Sequence, residues 1–163
     1  MDEKSVQEEV VRQLEEYRAN KRRIDALRYE LEQYCDVTPE EMIESMNFSH
    51  GGDGVRSSAG HTSDKTPYIA LNYLKQAEEE NRRTKEEILA EYFPVVRKVD
   101  RLEHYISLLE SQEAVVIYLT YRDRLKNVDI AKRIGISAKS VSNVKRRAIA
   151  HLCQLFVFTS MVR

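Results

Sequence analysis

Glycine and proline are scarce. Five glycines and three prolines in 163 residues leave few places for sharp reversals, which argues against a sheet with its many turns. No apolar run approaches the roughly 18 residues that a membrane-spanning helix needs. The first residues, MDEKSVQEEVVRQ, are charged throughout and lack the apolar core of a signal peptide. There are two cysteines, Cys35 and Cys153, and their spacing fits neither a metal site nor a redox pair. The histidines, His50, His61, His104 and His151, are scattered. No metal, cofactor or catalytic constellation is expected, so an enzyme ranks last among the function classes. A cytoplasmic protein with free thiols is expected.

What the chain has instead is Glu, Lys, Arg and Leu, the residues of long helices. The predicted fold class is all-α. Net charge is −1, but the average hides a division. Residues 1–119 carry 16 Lys+Arg against 25 Asp+Glu, and residues 120–163 carry 10 against 2. A basic block on an acidic chain suggests a polyanionic partner for that end. A solvated basic helix fits the charge equally well, so the pattern within the block must decide.

Along the chain, Val10, Tyr17, Ile24 and Leu31 recur every seven residues, with Val6, Leu27 and Tyr34 as companions. Gln13 and Asn20 interrupt the companion row. This seam predicts one long helix over 2–35, either a coiled coil or a helix packed within its own chain. Thr38, Pro39 and Glu41 then make a capping box for a short helix that fades near Asn47. Residues 49–66 hold four of the five glycines and read as a flexible linker. No Gly-Lys-Ser/Thr follows them, so they make no phosphate loop. Thr66-Pro67 opens a second long helix with a weak, polar seam of Leu74, Ala77, Asn81, Thr84 and Ile88. Pro94 is expected to end or kink it. Val95, Val99, Leu102, Ile106 and Leu109 form a stronger stripe beyond. Val115 to Leu119 are apolar nearly all round, the mark of a buried helix.

The stretch from Asn127 to Leu152, NVDIAKRIGISAKSVSNVKRRAIAHL, meets the requirements of a helix-turn-helix. Ala131 is small where two helices must cross. Gly135 tolerates the positive φ of the turn. Ile130, Ile134 and Ile136 supply the core around it, and Ser137 caps the second helix. Val141, Val144, Ala148 and Leu152 form that helix's inward stripe. At 100° per residue, Lys139, Asn143 and Arg146 lie opposite the stripe, flanked by Ser140, Ser142 and Arg147. Arg and Lys donate to guanine edges and Asn pairs with adenine, so these six are the base-reading candidates. Lys126, Lys132, Arg133 and Ser137 are candidates for the DNA backbone, and Arg122 and Arg124 suit the same role.

From about Leu108 to Leu152 the chain resembles region 4 of bacterial sigma factors, a helix-turn-helix that reads a promoter element. The pieces that match are ESQEAVVIYLTYRDRL, NVDIAKRIGIS and AKSVSNVKRRAIAHL. The layout as a whole is similar to small phage and prophage regulators of the ArpU type. The resemblance implies transcriptional control, often of late phage genes, with double-stranded DNA and RNA polymerase as partners. YRDRLKN stands where sigma factors usually have a short Gly-containing turn, a departure that bears on polymerase binding more than on DNA binding.

The expected organisation is an N-terminal helical or oligomerisation segment at 1–48, a linker at 49–66, a long helical region at 67–107 and a DNA-binding domain at 108–163. A homodimer is expected through the seam of the N-terminal helix. The apolar tail Leu155–Phe158 offers a second dimer surface, or docks on the Val95–Leu109 stripe of its own chain. The alternative function is a DNA-packaging or structural DNA binder, such as a terminase small subunit.

Overall fold

The computed structural model describes residues 3–38, 40–42, 44 and 65–161. Among these the chain is all-helical, as expected. Helix α1 spans Glu3–Gln33 and α2 spans Lys65–Ser107. Helix α3 spans Ser111–Ile117 and continues as a π-helical turn, Tyr118–Arg122. Helices α4 and α5 span Asn127–Ile134 and Ala138–Met161. No described helix is long and apolar enough to cross a membrane. The expected linker lies outside the described residues, apart from its last two, which already belong to α2.

The chain divides into two compact units, Met1–Ala26 with Tyr92–Arg163, and Leu27–Glu91. This is not the division expected from the sequence. The start of α1 belongs with the C-terminal residues because they cover its apolar seam. Val6, Val10, Leu14, Tyr17 and Ile24 are buried against Val99, Leu102, Tyr105 and Ile106 of α2, Ile117 of α3, and Ala148, Leu152 and Phe156 of α5. The seam expected to join two copies is thus filled by the chain itself, and a homodimer through it is withdrawn. Gln13, the polar member of the seam, is buried and donates to Glu9 at 2.6 Å. The Tyr17 hydroxyl donates to Glu103 at 2.5 Å. The tail takes the second of its two expected positions. Phe156 meets Tyr105 edge to face, with ring centroids 4.9 Å apart, while Phe158 stays exposed.

A second, smaller core holds Val116, Leu119, Ile130, Ala131, Val141 and Val144. Adjacent residues of α3 serve different cores, Val116 the smaller and Ile117 the larger. This explains why the segment is apolar nearly all round, although Val115 is exposed. The stripe of α5 is likewise shared. Val141 and Val144 pack in the smaller core, and Ala148, Leu152 and Phe156 in the larger. One helix of 24 residues, about 36 Å at 1.5 Å per residue, therefore ties the two cores together.

Pro94 lies inside α2 and does not end it. The lost amide donor is outweighed by the apolar residues that follow, Val95, Val96, Val99 and Leu102, all packed in or against the larger core. In the unit Leu27–Glu91, the polar seam residue Asn81 accepts from the Tyr34 hydroxyl at 2.9 Å and from the Val37 amide at 2.8 Å, and donates to the Val37 carbonyl at 3.2 Å. The capping box forms in both directions, Thr38 N to Glu41 at 2.9 Å and Glu41 N to Thr38 Oγ1 at 3.3 Å. Pro39 and the helix end expected near Asn47 lie outside the described residues.

Candidate nucleic-acid interface

Helices α4 and α5 are joined by Gly135, Ile136 and Ser137. Gly135 ends α4 with φ 74° and ψ 32°, the left-handed region that side chains disfavour. Its amide and that of Ile136 both donate to the Ala131 carbonyl, at 3.0 and 3.1 Å. A Cβ at Gly135 would meet nothing within 4 Å, so the constraint is the backbone conformation alone. Gly135→Val is expected to destabilise the protein by about 1–2 kcal/mol through that conformation. Urea denaturation measures it, and an unchanged midpoint would show that the turn does not need glycine.

Ser137 caps α5: its Oγ accepts from the Ser140 amide at 3.0 Å and pairs with the Ser140 hydroxyl at 2.9 Å. Beyond the cap, Lys139, Asn143 and Arg146 are exposed on the face opposite Val141, Val144 and Ala148. Ser142 is also exposed, but its hydroxyl accepts from Asn127 Nδ2 at 2.9 Å, which fastens the start of α4 to α5. Lys126 precedes α4, and Lys132 and Arg133 lie in its last turn, all three exposed.

Arg147 differs from the other base-reading candidates. Its Nε donates to Glu113 Oε1 at 2.6 Å, and Nη2 lies 3.7 Å from Glu110. Glu113 is completely buried, and Nδ1 of His151 lies 2.9 Å from its second oxygen. Burial alone would push the Glu113 carboxyl up. The hydrogen bonds from Arg147 and His151 win, and hold it below its ordinary value of 4.5. Arg147 therefore anchors α5 to α3, while its side chain stays half exposed beside the outward face. Two other basic residues are similarly engaged. Arg122 pairs with Asp123 at 2.9 Å, and Arg124 Nη2 donates to the Glu15 carbonyl of α1 at 2.7 Å.

Arg124 is the one described non-glycine residue with positive φ, 57°. It follows the π-helical turn, where the Asp123 amide reaches back to Tyr118 and the Leu125 amide to Leu119. The left-handed residue that a glycine usually supplies at such a helix end is here an arginine, held by its bond to α1.

The sorting leaves Lys126, Lys132, Arg133, Lys139 and Arg146, which form no ion pair among the described residues. Elsewhere among the described residues some cations are matched, Lys21 with Glu103, Lys85 with Asp36, Lys98 with Glu16, Arg82 with Glu86 and Arg83 with Glu87, while others, Arg97 and Arg101 among them, are not. What sets α4 and α5 apart is the supply of carboxylates: residues 120–163 carry 10 Lys+Arg against 2 Asp+Glu. Asn127 and Glu113 were not anticipated from sequence. A lone carboxylate within the apolar stretch EAVVIYL was the available signal for the second. Among the described residues no cluster of His, Cys, Asp and Glu is arranged to hold a metal ion. Comparison with protein-family models, curated proteins and solved structures returned no match to this chain.

Proposed function

We propose that the protein is a sequence-specific, double-stranded DNA-binding regulator of transcription, of the phage or prophage kind that its sequence resembles. In this reading α4 and α5 are a helix-turn-helix, and the first turns of α5 enter the major groove. Lys139, Asn143 and Arg146 face base edges, while Lys126, Lys132 and Arg133 meet phosphates on either side. The observation that carries the reading is the set of five cations left without carboxylate partners around one capped helix start. An acidic chain gains little by leaving charge unmatched there unless a polyanion compensates it. Ser137 caps the helix by accepting from the Ser140 amide, and Ser142 with Asn127 fixes its position against α4. RNA polymerase, the second partner implied by the resemblance, is not needed for this reading. The packaging alternative is less favoured, because the helical seam that would build an oligomer is buried inside the chain.

Affinity for duplex DNA should fall steeply with salt, since each neutralised phosphate contributes about −0.9 to the slope of log K against log salt. Lys132→Ala should weaken all duplexes alike and reduce the slope by about one contact. Fluorescence anisotropy across a salt series measures both. Binding that is absent at low salt, or a slope untouched by Lys132→Ala, would count against the proposal.

A further inference from the structure

The geometry points to a second anion site, separate from the DNA face, that takes a di- or triphosphate group. A groove of about 610 Å³ in the unit Met1–Ala26 with Tyr92–Arg163 is lined by Arg97, Lys98, Arg101 and His104 of α2, together with Tyr105 and Thr159. Arg97, Arg101 and His104 follow at helical spacing and share one face of α2. Lys98 is neutralised by Glu16 at 2.6 Å. Glu103 is engaged by Tyr17 and Lys21. Arg97, Arg101 and His104 form no ion pair among the described residues.

Arg101 is held in advance. Its Nε donates to the Tyr105 hydroxyl at 3.0 Å and Nη2 to Thr159 Oγ1 at 2.9 Å. The Tyr105 hydroxyl in turn donates to Thr159 Oγ1 at 2.7 Å. The guanidinium lies over the rings of Tyr105 and Phe156, 5.4 and 4.9 Å from their centroids. A guanidinium has five N–H donors, so three remain without a partner among the described residues. A fixed, charged fork with donors to spare and no ion pair among the described residues suits a phosphate oxygen. Arg97, one turn away, supplies a second fork, and a chain of phosphates reaches both where a single phosphate reaches one. The Tyr105 ring already carries the Arg101 guanidinium and meets Phe156 edge to face. Thr159 stands 20 residues from Lys139 on α5, about 30 Å along the helix, so DNA lying on Lys139 is remote from the groove.

Calorimetric titration of the full chain with pyrophosphate, ATP and orthophosphate tests the site without DNA, so its result is independent of the DNA-binding proposal. Pyrophosphate and ATP should each saturate one site per chain, and orthophosphate should bind at least about tenfold more weakly. Equal affinity for pyrophosphate and ATP places recognition in the phosphates alone. Tighter ATP adds a contact to the nucleoside, and both results support the site. Arg101→Lys keeps the charge but removes the fork, and should weaken pyrophosphate by about tenfold. Arg97→Gln, at an exposed position with no part in the core, should do likewise while circular dichroism stays unchanged. Arg146→Ala should change nothing. No saturable binding of pyrophosphate or ATP at millimolar concentration would overturn the inference. So would binding that survives Arg97→Gln, or that is lost in Arg146→Ala instead.

Discussion

Leu14→Ala is expected to destabilise the protein by about 2–5 kcal/mol, and by the same amount at micromolar and at hundredfold higher protein concentration. Leu14 is 1% exposed and sits in the middle of the α1 seam, among Val10, Tyr17 and the stripe of α2. Its truncation removes apolar contacts and leaves a cavity in a core that the chain closes by itself. Stability in that arrangement is unimolecular. A seam shared by two copies would instead give a midpoint that rises with protein concentration, by mass action. Chemical denaturation of both proteins at the two concentrations distinguishes the cases. A concentration-dependent midpoint would restore the intermolecular seam.

Arg147→Ala is expected to cost about 1–3 kcal/mol at neutral pH, because it strands one oxygen of a fully buried carboxylate. The cost should depend on pH in a definite direction. In the folded protein Glu113 is held below its ordinary 4.5 by Arg147 and His151, against the effect of burial. A carboxyl whose folded pKa is lowered contributes stability that is complete above 4.5 and is lost as pH falls through the lowered value. The deficit of Arg147→Ala against the parent protein should therefore be largest near neutrality and shrink in acid, where Glu113 is protonated in both. Urea midpoints from about pH 7 down to about pH 3 measure it. A deficit that stays constant over that range would mean that the pair with Glu113 is not what Arg147 provides.

The features that were legible in the sequence are local ones. Gly135 at the turn, Ser137 as the cap and the stripe of Val141, Val144 and Ala148 are fixed by neighbours within a few residues. So is the capping box of Thr38 and Glu41. What the sequence leaves open is the identity of distant partners. A heptad seam has the same pattern whether it faces a second copy or its own chain, and only the packing of Val99, Leu102 and Leu152 against α1 decides it. Arg147 falls at the flank of the outward face by angle, yet its partner Glu113 lies 34 residues earlier. Of the two outcomes expected at Pro94, an end or a kink, the helix does not end, because the packing on the next turns outweighs one lost hydrogen bond. Arg124 shows the converse. Its left-handed backbone is held by Glu15, 109 residues away, so no reading of YRDRLKN alone would place it there.

The central claim is that the outward face of α5 reads base sequence, and selection of binding sites from a random duplex library tests it most directly. The full chain should enrich a defined sequence. Arg146→Ala should relax the preference at one base pair, at a cost of about 1–3 kcal/mol there, while the remaining positions persist. Enrichment of the same sequence at the same affinity by Arg146→Ala, or no enrichment by the parent protein, would contradict the account.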